Sequence, residues 1–138
     1  MQGFNIILIY DCNCSKILMC QRSKEPYKGL YNLVGGKIEC NEDGLAAAYR
    51  EMFEETNISA NNINLIHLMD FTYYCSDCYL EVYVGKIRKE VTVKGNENEL
   101  FWIDAKSDFF DRAVFAGNGN IGHIIEEIKA WEEKILGN

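Results

Sequence analysis

A chain of 138 residues is long enough for one domain with its own core and too short for two ordinary ones. Its 48% hydrophobic and 12% aromatic content exclude a disordered chain. The formal net charge of -7 excludes broad, phosphate-driven binding to a nucleic-acid polymer, which needs basic surface. It leaves small nucleotides open, because carboxylates can reach phosphate through a divalent cation.

The apolar run Phe4 to Tyr10 predicts a first strand. The opening MQGFNIILIYD has neither a basic leader nor a small-residue cleavage site, so it reads as strand rather than signal peptide. No run approaches the roughly 18 apolar residues of a membrane span. A cytoplasmic protein with no membrane partner is therefore expected. Asp11 to Ser15 supplies turn chemistry and Lys16 to Cys20 resumes the strand pattern, which makes a hairpin. Residues 23–30 hold the single proline and read as a loop, and Tyr31 to Val34 as a short extended piece ending at Gly35-Gly36. Residues 43–56 have helical periodicity, with Leu45, Tyr49, Met52 and Thr56 on one apolar stripe and Asn57 at the stop. Two strands, 62–74 and 79–88, flank a Cys75–Cys78 turn, and Glu99 to Ile103 forms another. From Ile121, the spacing of Ile124, Ile125, Ile128, Trp131 and Ile135 marks one amphipathic final helix. Interleaved strands and helices predict an α/β or α+β domain with a mixed sheet.

The six cysteines, Cys12, Cys14, Cys20, Cys40, Cys75 and Cys78, lack the paired spacing of a zinc site. The Cys75/Cys78 pair joins two strands, whereas a redox pair of this spacing opens a helix. Ordinary reduced thiols are expected, with metal and redox roles as the alternatives. His67 and His123 read as structural.

The stretch that carries chemistry is GKIECNEDGLAAAYREMFEETNI, residues 36–58. Six of the 21 acids lie between Glu39 and Glu55, opposed there only by Arg50. Glu51, Glu54 and Glu55 stand at i, i+3 and i+4 on one helix face, and Arg50 lies four residues before Glu54. A solvated acidic helix would carry such a face too. Here the like charges are crowded, the opposite face is apolar, and a Gly-Gly turn precedes the helix, where backbone can approach a ligand closely. Fixed carboxylates beside such a turn suit Mg2+ or Mn2+.

These residues resemble the Nudix box: a glycine, five residues, a glutamate, seven residues, then R-E-U-x-E-E-x-G-U, with U aliphatic. Gly36, Glu42, Arg50, Glu51, Met52, Glu54, Glu55 and Ile58 fall on eight of its nine fixed positions. Asn57 replaces the last glycine and tolerates the same backbone conformation. The resemblance implies a single domain over residues 1–138 with the Nudix α/β/α sandwich around a mixed sheet. It implies that Glu51, Glu54 and Glu55 ligate the divalent cations, with Glu51 as the alternative base toward water. Glu42 would assist at the metal, Arg50 would orient a glutamate, and the Gly36 or Gly35 carbonyl would add a ligand. Lys37 would contact a phosphate, and Arg22 joins the substrate-binding set.

The box implies the reaction and the flanks address the substrate. Tyr31 to Lys37 resembles the approach to the box in hydrolases of oxidised purine triphosphates, where the asparagine at the Asn32 position contacts the base. Val34 departs from the bacterial version, which more often has proline there. Phe115 to Asn120 resembles their base pocket, with Phe115 beside the base and Asn120, or else Asn118, reading it. Asn120 as a helix N-cap is the plainer alternative. The family often supplies a further metal-binding or basic glutamate near Trp102, and spacing favours Glu97 over Glu99. The expected activity is Mg2+- or Mn2+-dependent hydrolysis of a nucleoside triphosphate, such as 8-oxo-dGTP, to monophosphate and pyrophosphate. The alternatives are a hydrolase of ADP-ribose or another nucleoside diphosphate derivative, and a nucleotide-binding sensor. Retention of every box glutamate favours catalysis. The partner is a small nucleotide, and the chain a monomer or homodimer.

Overall fold

The computed structural model describes residues 1–95 and 97–137. Among them, seven strands form one mixed sheet: β1 (Gln2–Tyr10), β2 (Lys16–Gln21), β3 (Tyr31–Asn32), β4 (Val34–Lys37), β5 (Ile66–Tyr73), β6 (Cys78–Lys86) and β7 (Leu100–Asp104). The helices are α1 (Gly44–Thr56), α2 (Asn120–Ala130) and α3 (Glu132–Leu136). β1 is central. It runs parallel to β6 along its whole length, antiparallel to β4 near its start, and antiparallel to β2 at its end.

Successive side chains of a strand point to opposite faces, so β1 serves two cores. Leu8 and Tyr10 pack with Ile17, Met19, Val82 and Val84 beneath Ile121, Ile124 and Ile128 of α2. Ile7 and Ile9 pack with Leu18 and Tyr83 beneath Ala48 and Met52 of α1. Both faces of β1 are covered, which is why Ile6 to Tyr10 read as a continuous apolar run. The result is the expected α/β/α sandwich.

The start of α1 is set by Asp43, whose carboxylate accepts the Ala46 N–H at 3.1 Å. Its end is set by Asn57, left-handed at φ 68°. Met52 is fully buried, and truncating it to Ala would cost about 2–5 kcal/mol. Three expectations need correction. Leu45 is 41% exposed, and Ala47 and Ala48 take the buried face instead. Their small side chains let α1 lie close on the sheet, while Leu45 overhangs its edge. β5 begins at Ile66, because Ser59 to Asn62 turns on itself, the Ser59 N–H donating to Asn62 Oδ1 at 2.9 Å. The final helix is not continuous: it breaks at Trp131 (φ -122°, ψ 25°), and α3 carries Leu136 back into the core. Among the described residues no helix is long and apolar enough to cross a membrane.

Candidate active site

The loop before α1 and the outward face of α1 meet at Arg50. Its guanidinium grips Glu42 with two bonds, Nε to Oε2 at 2.7 Å and Nη2 to Oε1 at 2.9 Å. Nη1 donates to Glu51 at 3.0 Å and to Glu54 at 3.3 Å, and Nη2 also reaches the Lys37 carbonyl at 3.1 Å. One cation therefore bonds three carboxylates, leaving them only partly compensated, and ties the loop to the helix. These bonds hold the Glu42 carboxyl down at about 2, with the Arg50 hydrogen bond as the largest cause, and keep Arg50 firmly protonated.

Glu55 is held differently. It accepts the Gly35 N–H at 3.3 Å, whereas Arg50 bonds Glu42, Glu51 and Glu54. Burial pushes its carboxyl up to about 7, and the neighbouring charges of Glu51, Glu97 and Glu54 add to the rise. Burial likewise raises Glu51, against the pull of Arg50. Glycine is required at Gly35, at φ 154°, and at Gly36 it leaves room for Glu51. A Cβ on Gly36 would strike the Glu51 carboxyl, and one on Gly35 would strike the Asn5 carbonyl.

A cleft of about 1050 Å3 opens over this cluster. Its lining brings the carboxylates Glu51, Glu54, Glu55 and Glu97 together with Gly36 and the basic residues Arg22, Lys24 and Lys37. Glu97, not Glu99, is the one that lines it; the Glu99 carbonyl accepts the Gln21 N–H. Glu42 sits behind, through Arg50. The sequence reading missed Ser23, Lys24, Glu39 and Asn98, which also border the cleft. It missed Asn5 as well, whose Oδ1 accepts the Gly36 N–H at 3.0 Å. A lone amide inside the apolar β1 run was the available signal.

The donor types fit a hard divalent cation: clustered carboxylates and main-chain carbonyls, with burial and mutual repulsion penalising the charges when no cation is bound. As arranged, however, no three His, Cys, Asp or Glu side chains among the described residues converge to hold a metal ion. Arg50 gathers Glu51 and Glu54 toward itself instead.

The expected base-reading residues lie apart from that cleft. Asn32 pairs with Cys20, on the α1 face, and its Oδ1 accepts the Leu33 N–H at 2.9 Å. Asn120 is on the α2 side, where its Nδ2 donates to the Tyr73 hydroxyl. Asn32 thus lies on the α1 face of the sheet through its strand register, and Asn120 on the α2 face through its place at the start of α2. Phe115 pairs its backbone with Tyr31, but its ring is 5% exposed and packs on Phe109 at 4.9 Å. It therefore contributes to the core on the α2 face. Asn118 bonds Tyr27 and Arg112. The N-cap of α2 is Gly119, with Asn120 as the first helical residue.

The chain is similar to several known proteins. It is 43% identical over 44 residues to an ADP-ribose pyrophosphatase of Methanocaldococcus jannaschii, covering 32% of this chain and 26% of that one. It is 32% identical over 107 residues to the NAD-capped RNA hydrolase NPY1 of Saccharomyces cerevisiae, covering 72% and 27%. The chain thus spans about a quarter of the length of these curated relatives. Its fold matches a C. elegans Ap4A hydrolase, solved as a binary complex, with a TM-score of 0.76 at 17% identity, covering 98% of this chain and all of that one. The model of the NUDIX domain aligns with residues 1–113, across both the sheet and the acidic helix, and the chain belongs to the NUDIX family.

Proposed function

We propose that this chain hydrolyses the diphosphate linkage of a small nucleotide with the help of Mg2+ or Mn2+. The observation that carries the reading is a cleft of about 1050 Å3 whose lining combines carboxylates of α1 with the basic residues Arg22, Lys24 and Lys37. A diphosphate is highly anionic, so the basic residues attract and orient it. Bound divalent cations would neutralise the diphosphate and lower the pKa of the attacking water. Glu51, Glu54, Glu55 and the Gly36 or Gly35 carbonyl would hold them, with Glu97 and, behind Arg50, Glu42 in support. Glu51 is the alternative base toward the attacking water. Arg50 keeps Glu51 and Glu54 on the loop side of the helix until cations compete for them.

Within that chemistry, the first reading is a nucleoside triphosphate, an oxidised purine such as 8-oxo-dGTP, released as monophosphate and pyrophosphate. Asn32, Asn120 and Phe115 are its proposed base contacts. A second reading, ADP-ribose or another nucleoside diphosphate derivative, is favoured by the Methanocaldococcus jannaschii relative and by the separation of Asn32 from Asn120. A nucleotide panel with Mg2+ decides between them. Pyrophosphate from 8-oxo-dGTP supports the first, and AMP with ribose 5-phosphate from ADP-ribose supports the second. No Mg2+-dependent cleavage of any nucleotide would overturn both.

A further inference from the structure

We propose that Asn5 is a positioning residue of the acidic centre, aligning the Gly35–Gly36 main chain beside Glu51. The inference rests on the metal-dependent reading above.

Asn5 is 1% exposed, in the middle of the central strand. Alternation places it on the α1 face with Ile7 and Ile9, where an apolar side chain would suffice for packing. Asparagine is disfavoured in strands, and burying its amide without partners is costly. Half of that amide is unsatisfied: Oδ1 accepts the Gly36 N–H at 3.0 Å, but Nδ2 is buried with no partner. A buried orphan donor is destabilising, so Asn5 is a poor choice for stability alone.

What Asn5 does instead is orient a peptide. It stands opposite Gly36 in the β1–β4 pairing, and its own carbonyl touches Gly35 where a Cβ would be. On the other side of Gly36, the Glu51 carboxyl fills the space of the missing Cβ. The Gly35–Gly36 peptide is therefore clamped between Asn5 and Glu51. A peptide is planar and trans, so turning the Gly36 N–H toward Asn5 turns the Gly35 carbonyl the opposite way. Asn5 thus sets the direction of a main-chain oxygen that borders the cleft, and it holds the strand on which Glu51 and Glu55 both lean. It touches neither substrate nor reacting atoms.

The test uses the whole chain as Asn5→Leu, Asn5→Asp and Glu55→Gln. Melting temperature is followed against MgCl2 with no nucleotide present, and the half-maximal Mg2+ concentration is measured with the best nucleotide of the panel. Asn5→Leu is expected to melt as high as the parent without metal, or higher. Its Mg2+ requirement should rise about 10-fold and its Mg2+-induced stabilisation should shrink, with nucleotide KM nearly unchanged. Asn5→Asp keeps an oxygen to accept the Gly36 N–H and should stay within about 3-fold of the parental Mg2+ requirement. An Asn5→Leu protein with the parental Mg2+ response overturns the assignment. So does one that merely melts lower and loses activity equally at every Mg2+ concentration, since that is a structural role. Glu55→Gln separates the two levels. If it too keeps the parental Mg2+ response, the metal reading falls; if it loses that response while Asn5→Leu keeps it, only the Asn5 assignment falls.

Discussion

The acidic cleft and the expected base pocket are built in opposite ways. Glu42, Arg50, Glu51, Glu54 and Glu55 come from one short stretch of chain and are drawn together by one guanidinium at 2.7–3.3 Å, except Glu55, which leans on the Gly35 N–H. Asn32, Phe115 and Asn120 come from distant stretches, and each is already engaged: Asn32 with Leu33, Phe115 with the core, Asn120 with Tyr73. The acids repel one another and gain from a cation, so their surroundings leave them under-compensated. Each amide already makes one hydrogen bond, so reading a base with that atom means exchanging one good hydrogen bond for another, with a small net return. Chemistry should therefore be far more sensitive to the first region than specificity is to the second.

The largest expected effect tests that contrast directly. Glu54→Gln and Glu55→Gln should each lower turnover at least about 100-fold, because each removes a charged candidate ligand. Circular dichroism should stay native, since neither side chain is in the α1 core. Near-parental rates in both would move the metal site elsewhere.

A smaller loss is expected on the amide side. Asn120→Ala should reduce kcat/KM for 8-oxo-dGTP about 10-fold, with a much weaker effect on a pyrimidine triphosphate. Asn32→Ala should have less effect, because its side chain is tied to its own neighbour on the other face. Equal losses on every nucleotide would assign these asparagines to support of the fold.

Mg2+ should raise the melting temperature of the parent by several degrees and that of Glu55→Gln by little, since a cation binding only the folded state stabilises it by mass action. Differential scanning fluorimetry with and without chelator checks this, and an equal shift in both proteins would count against Glu55 as a ligand.

The smallest effect is a pH dependence of the metal-free protein. Folding raises the Glu55 carboxyl from its ordinary value near 4.5 to about 7, so between those values the folded state holds more protons than the unfolded one. The contribution of Glu55 is thus fully present below about 4.5 and is lost as pH rises through about 7. Glu42, held down near 2, has the opposite sign: its contribution is present above about 4.5 and is lost as pH falls toward 2. Urea melts of the chelated protein across this range should show Glu55→Gln with a flatter profile between pH 4.5 and 7. An unchanged slope would show that Glu55 titrates elsewhere.

What the sequence determined by itself was local. The acidic face of α1, its Asp43 to Asn57 limits and the link between Arg50 and Glu54 follow from spacing along one helix, where neighbours in space are three or four residues apart in the chain. The two-sided burial of β1 was visible as an apolar run for the same reason. Relations across the sheet were decided only by the tertiary structure, because they depend on which strands pair and in what register. The β1–β4 pairing makes Asn5 a partner of Gly36, and the α2 docking makes Tyr73 a partner of Asn120. Asn32 faces α1 through its pairing with β2, and the tight seat of Ala47 and Ala48 on the sheet pushes Leu45 into solvent. A one-residue change of register exchanges the faces of a strand, and no spacing within a single segment records which register the folded sheet adopts.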